Sequence, residues 1–253
     1  MERIQIQNKR GENLSACLFR PEVKAQYVLV VCHGFRGGKE NGGRIFTFAQ
    51  KLNEIGIVVF AADFGGSGQS DGKFKDITLS RQAEDLQSMI DYLDEAIYIP
   101  IILLGRSFGG STVLAGGSGD ERVKGFILWS TPMHLENTFR AIMQDEYVKL
   151  QNGQTVHIQD LAGEFQLEPA FIHDFAKHNI IGYLNDIANR PVLIIHGQED
   201  EVVAVENAIY ASDLLPQSDF HLVQGADHHF LEKTAEREQL TLNWLKAKFL
   251  YVE

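Results

Sequence analysis

The run IILLGRSFGGSTVLAGG, residues 101–117, places Ser107 between Gly105 and Gly109 directly after an apolar, strand-like segment and before a helix-like one. This is the G-x-S-x-G spacing in the setting it requires. The turn is so tight that larger side chains on either side of the serine would collide, and it pushes the hydroxyl out at the end of the sheet. A serine hydroxyl is a poor nucleophile until a base takes its proton, and the base is a histidine held in one tautomer by a carboxylate. Chemistry at Ser107 therefore needs two partners from elsewhere in the chain. Two histidines, His228 and His229, stand side by side in GADHHF, and three acids, Glu199, Asp200 and Glu201, follow the apolar run PVLIIHG. Adjacent residues entering a helix point about 100° apart, so only one of the histidines can face the serine.

Other chemistries find less support. The nine histidines contain no H-x-x-x-H or H-E-x-x-H pair, and His173 and His178 are five apart, so no metal is expected. The glycine-rich DFGGSGQSDG, residues 63–72, lacks the Lys-Ser or Lys-Thr pair of a nucleotide loop. No cofactor is expected.

These residues need a scaffold, and the chain supplies an alternating one. RIQIQ and LSACLF alternate with a period of two around the turn NKRGEN, which predicts two short antiparallel strands within residues 1–20. From residue 27 short continuous apolar runs appear at YVLVVCH, GIVVFAAD, IPIILLG, VKGFILW and PVLIIHG, as in strands buried on both faces. Between them lie helix-spaced residues such as Ile45, Phe48, Ala49, Leu52 and Ile55, and then Leu79, Ala83, Leu86, Ile90 and Leu93. The pattern predicts an α/β protein with a mostly parallel sheet and helices on both faces. A last helix is expected over about 230–250, with Leu231, Ala235, Leu242, Leu245 and Phe249 on one face. The rhythm lapses from Thr131 to about Asn189, which reads as an insertion: a core of residues 1–130 and 190–253, and a cap of 131–189.

A length of 253 residues suits one folding unit, and 44% hydrophobic residues suffice for a large core. Cys17 and Cys32 lie in apolar runs without paired spacing and read as buried thiols. A net charge of -11 opposes broad contact with phosphate backbones, so no nucleic-acid partner is expected. MERIQIQNKR lacks a secretory pattern and no apolar run approaches the roughly 20 residues of a membrane span, so the expected place is the cytoplasm, away from membranes. Oligomeric state stays open, a homodimer included.

With the elbow in place, the chain resembles the α/β-hydrolase family over nearly its full length. Within that family it is similar to small bacterial serine esterases of the cinnamoyl and feruloyl type and to serine aminopeptidase-like hydrolases. The resemblance implies an α/β-hydrolase fold, a twisted sheet of about eight strands with a small cap insertion. It also implies the order nucleophile, acid, histidine. Ser107 becomes the nucleophile. Asp200, four residues after His196 in an H-G-x-x-D pattern, becomes the acid, with Glu199 and Glu201 as solvated charge. The pattern Gly-x-x-His, one variable residue and an apolar one places His228 in the catalytic position and leaves His229 facing solvent or the pocket rim.

The oxyanion donors would be the amide of Phe108, after the nucleophile, and by resemblance that of Phe35 in VVCHGFRGG, a loop that His33 holds. Residues 63–72 resemble a loop near the site, as a compact turn or a substrate wall. Phe139, Tyr147, Phe165, Phe171, Phe175 and Tyr183 either pack the cap or line an aryl or acyl pocket. The implied reaction is hydrolysis of a small ester through an acyl-enzyme, on short acyl or aryl, cinnamoyl-like, substrates. A thioesterase, a small aminopeptidase or amidase, and a ligand-binding receptor with little turnover remain as alternatives.

Overall fold

In the computed structural model, which describes residues 1–160 and 163–250, the first alternating segments form β1 (Glu2–Gln7) and β2 (Asn13–Phe19), paired antiparallel. The apolar runs then form β3 (Tyr27–Cys32), β4 (Ile57–Ala62), β5 (Ile101–Arg106) and β6 (Val123–Trp129), separated by α1 (Arg44–Glu54), α2 (Leu79–Ala96) and α3 (Phe108–Gly117). Between β6 and the next strand of the sheet lie α4 (Leu135–Met143), α5 (Asp145–Gln151), the antiparallel pair β7 (Val156–Asp160) and β8 (Gly163–Leu167), α6 (Ala170–His173) and α7 (Ile180–Ile187), the segment expected to form an insertion. The sheet resumes with β9 (Val192–Gly197), α8 (Glu206–Leu214), β10 (Asp219–Val223) and α9 (Thr234–Leu245).

The eight strands of the main sheet lie in the order β1-β2-β4-β3-β5-β6-β9-β10. Only the pairings of β1 with β2 and of β2 with β4 are antiparallel; from β4 to β10 every neighbour is parallel. This is the mostly parallel α/β sheet expected from the alternation, in the α/β-hydrolase form that the resemblance implied. Successive side chains of the central strands divide between two apolar layers, as a period of two requires. Leu103, Phe126 and Ile194 join the layer under α2 and α3, whereas Leu104, Ile127 and Ile195 join the layer under α1 and α9. Each fully buried aliphatic side chain contributes about 1.5–3 kcal/mol, which is why the continuous apolar runs become central strands.

Two features differ from the sequence-based expectation. The last α-helix begins at Thr234 rather than near 230, because Phe230 sits at φ 53° and breaks the helical path. Leu231 is consequently 59% exposed and does not share the buried face. The insertion is also more regular than its sequence suggested. Its Leu135, Phe139, Tyr147 and Phe171 join the same continuous apolar cluster as Phe108 and Leu114 of α3. Asp174 anchors it to the start of α2 by accepting from both the amide and the hydroxyl of Ser80, each at 2.8 Å. Among the described residues no helix is long and apolar enough to cross a membrane.

Candidate active site

The strand–helix turn between β5 and α3 holds Ser107 at φ 52° and ψ -127°, a conformation that costs a non-glycine residue about 1–3 kcal/mol. The surroundings impose it. The Ser107 amide donates to the Trp129 carbonyl at 2.8 Å, and the Ser107 carbonyl accepts from the Gly110 amide at 2.7 Å. The two glycines of the turn are required by close approach: a Cβ at Gly105 would lie 2.3 Å from the Gly109 carbonyl oxygen, and one at Gly109 would lie 2.4 Å from that of Cys32. Gly105→Ala is therefore expected to destabilise the fold by about 1–3 kcal/mol through overpacking against backbone. Urea unfolding checks this, and an unchanged midpoint would show that the turn has room to relax.

His228 lies on the loop between β10 and α9 and is only 4% exposed. Its Nε2 is 3.1 Å from Ser107 Oγ, and its Nδ1 is 2.9 Å from Asp200 Oδ2 and 3.0 Å from Oδ1. Asp200 stands on the loop after β9, where its Oδ1 also accepts from the amides of Val202 (3.0 Å) and Val203 (2.8 Å). Burial pushes its carboxyl up, but the His228 hydrogen bond and charge, with the Val203 amide and His196, carry it below the usual range. It is thus held as a carboxylate. His196 sits 3.3 Å from Asp200 Oδ2, and its Nε2 donates to the Val203 carbonyl at 2.8 Å. Burial pulls its pKa down, so it stays neutral.

The loop after β3 lies against the nucleophile: a Cβ at Gly34 would come within 3.1 Å of Ser107 Cβ. His33 Nε2 accepts from the Phe64 amide (3.2 Å), which leaves the proton on Nδ1 to donate to the Gly34 carbonyl (2.9 Å). Burial lowers its pKa, in keeping with this neutral tautomer. A buried ion pair ties the same loop to the next one. Lys39 Nζ donates to Asp63 Oδ2 at 2.6 Å, and Asp63 also accepts from the amides of Lys39 (2.7 Å) and Gln69 (2.9 Å). Among the described residues, the amides of Phe35 and Phe108 have no acceptor in the protein. For Phe108 this follows from its place in the first turn of α3.

These groups open into a cavity of about 1010 Å³. Phe35, Phe139, Ile142, Met143, Ile158 and Phe165 form its apolar wall, and Ser107 and His228 belong to its lining.

The family model described as serine aminopeptidase, S33, matches residues 23–157 of the chain. The chain belongs to this family. Mouse (Mus musculus) mitochondrial palmitoyl-protein thioesterase ABHD10 is 26% identical over 200 residues, covering 76% of this chain and 66% of the relative. The chain thus spans slightly less than two thirds of that relative's length. A monoacylglycerol lipase of Mycolicibacterium smegmatis is 24% identical over 230 residues, 81% of each chain. Among solved structures, Est1E of Butyrivibrio proteoclasticus with ferulic acid bound aligns at a TM-score of 0.82 and 23% identity, over 97% of this chain and 98% of its own. That likeness bears on the fold.

Around this serine aminopeptidase-family scaffold the structure sorts the residues singled out from the sequence. Ser107, Asp200 and His228 converge, and the loop bearing Phe35 and the first turn of α3 bearing Phe108 border them. The His229 ring turns to the cavity rim, where its Nδ1 accepts from Arg106 Nη2 at 2.6 Å. Glu199 and Glu201 are exposed, and each also makes a backbone contact. Glu199 accepts from the Gly225 amide (2.6 Å) and Glu201 from the His228 amide (3.2 Å), so both brace the histidine loop. Of the insertion's aromatics, Phe139 and Phe165 line the cavity, whereas Tyr147, Phe171 and Phe175 are buried behind it and the Tyr183 hydroxyl meets His178 Nδ1 at 3.1 Å. Residues 63–72 are both brace and wall, since Asp63, Gly68 and Gln69 reach the cavity. Sequence reasoning overlooked Lys39 and Arg106 as parts of the site. Their only local signal was a cation immediately beside a recognised loop.

Proposed function

We propose that the protein is a serine hydrolase that cleaves carboxylic esters with an apolar short acyl or aryl, cinnamoyl-like, acid part through an acyl-enzyme. The observation that carries this reading is the hydrogen-bonded relay from Ser107 Oγ through His228 to Asp200, at 3.1 and 2.9 Å, opening into an apolar-walled cavity. Ser107 Oγ attacks the carbonyl carbon while His228 Nε2 takes its proton. Asp200 holds the Nδ1–H tautomer and stabilises the imidazolium. The amides of Phe35 and Phe108 receive the oxyanion, and such donors are each worth about 10²–10³ in rate. His228 then protonates the departing alcohol oxygen, and water enters by the reverse sequence to release the acid.

In this reading residues 131–189 act as the cap that selects the acyl group, through Phe139, Ile142 and Phe165. The same relay accepts thioesters, whose thiolate leaves more readily, and the likeness to ABHD10, a palmitoyl-protein thioesterase, favours including them.

A fluorophosphonate probe tests the nucleophile directly. Labelling should map to the Ser107 peptide. His228→Ala should suppress it by orders of magnitude more than His229→Ala, whose ring points to Arg106. A folded protein that stays unlabelled would sink the hydrolase reading.

A further inference from the structure

The residue before the nucleophile is a cation, and the carboxylates of Asp200 and Asp227 offset its charge only through space. Arg106 Nη1 donates to Asn41 Oδ1 at 2.7 Å and Nη2 to His229 Nδ1 at 2.6 Å. Both acceptors are neutral, since burial and the nearby Arg106 charge hold the pKa of His229 down. Arg106 Nε is buried with no partner, and among the described residues no carboxylate lies within ion-pair distance of the guanidinium. A second cation stands close by. Arg44 donates to the His229 carbonyl at 3.5 Å, and its charge opposes that of Arg106. Of the other cations that line the cavity, Lys39 is paired with Asp63, and Arg36 donates to the Gly163 carbonyl and lies over the Phe165 ring. A half-buried guanidinium held by neutral acceptors beside a like charge, with carboxylates acting on it only through space, leaves a place for an anion to complete the site. The guanidinium fork suits carboxylate or phosphate oxygens.

Chemistry says which part of the substrate meets it. The leaving atom must take a proton from His228 Nε2, so the leaving group occupies the histidine side of the site. His229 follows directly, with ring centroids 5.3 Å apart, and its ring holds Arg106. The acyl group is left the aromatic wall of the insertion.

We propose that Arg106, oriented by Asn41 and His229, binds an oxyanion carried by the leaving alcohol or thiol, so that the preferred substrates are apolar or aryl acyl esters of a carboxylate- or phosphate-bearing alcohol or thiol. This rests on the hydrolase reading above. The bonding changes are those of that reaction: the bond from Ser107 Oγ to the acyl carbon forms, the bond from that carbon to the leaving oxygen or sulfur breaks, and the Ser107 proton passes through His228 to the leaving atom. The anion stays on the departing product.

The test compares cinnamoyl esters of 3-hydroxybenzoate, 3-hydroxyphenylphosphonate and 3-hydroxybenzamide, phenols of similar leaving ability. A protein of net charge -11 should disfavour the anionic esters unless a site is built for them. The wild-type protein is expected to show kcat/KM about tenfold higher for an anionic ester than for the amide, a preference that shrinks with added salt. The better of the two anions identifies the source. In Arg106→Gln the ratio should fall to about one or below, whatever the absolute rate. Independently of any variant, 3-hydroxybenzoate or the phosphonate phenol should inhibit the wild-type protein more strongly than 3-hydroxybenzamide. Turnover of the amide ester with a wild-type ratio of one or less overturns the anion site and leaves the hydrolase reading standing. So does a preference that survives Arg106→Gln. Failure to turn over any of the three, together with an unlabelled Ser107, overturns both.

Discussion

Ser107→Ala is expected to lower kcat by about 10⁶ while leaving the fold intact, the size of loss seen when a serine nucleophile is removed from a relay that works as a unit. The stability side of the expectation comes from the local geometry. The only side-chain hydrogen bond that Ser107 Oγ makes within the described residues is to His228 Nε2, at 3.1 Å, so its loss leaves no buried backbone group unpaired. The backbone conformation at φ 52° is imposed by the Trp129 and Gly110 contacts and is equally strained with alanine. Parallel measurements of turnover and thermal midpoint check both halves. A variant retaining a tenth of the activity would remove Ser107 from the nucleophile's place.

Asp200→Asn should cost on the order of 10⁴ in kcat, and the hydrogen bonds say why. Oδ1 accepts from the amides of Val202 and Val203, so the asparagine oxygen must stay there and its NH₂ takes the place of Oδ2. That NH₂ then faces His228 Nδ1 at the former 2.9 Å contact and demands an acceptor. The imidazole shifts its proton to Nε2 and can no longer receive one from Ser107. A pH-rate profile of the variant with near-normal kcat at neutral pH would move the role to another acid. Asp227, whose Oδ1 accepts from the Leu231 amide at 3.0 Å, would be the first such acid to test.

How much of this was legible in the chain depends on whether the cause is local. Gly105, Ser107 and Gly109 announce their turn by their spacing between a strand-like and a helix-like run, the collision at Gly105 being with Gly109 close in sequence although that at Gly109 is with Cys32 of β3, and the apolar runs of β3 to β6 and β9 announce central strands because both faces of each residue pair must leave water. The α/β class follows from that alternation, whereas the strand order is visible only in the folded sheet. The start of α9 was misjudged because its apolar spacing continues through Leu231, and only the left-handed turn at Phe230 shows where the helical path is broken.

The residues by themselves thus determined an α/β protein with Ser107 at a tight strand–helix turn and narrowed the partners to two neighbouring histidines and one acidic cluster, and the family resemblance singled out His228 and Asp200 among them. The tertiary structure supplies the contact itself, since the loops after β9 and β10 bring residues 107, 200 and 228 within hydrogen-bond reach from distant parts of the chain. It alone also put Glu199 and Glu201 on the backbone of the histidine loop, paired Lys39 with Asp63, and left Arg106 facing neutral acceptors in the cavity wall. The physical reason is the same in each case: a charged side chain's role is set by what neutralises it, and those partners are chosen by the folding of distant segments, not by neighbours along the chain.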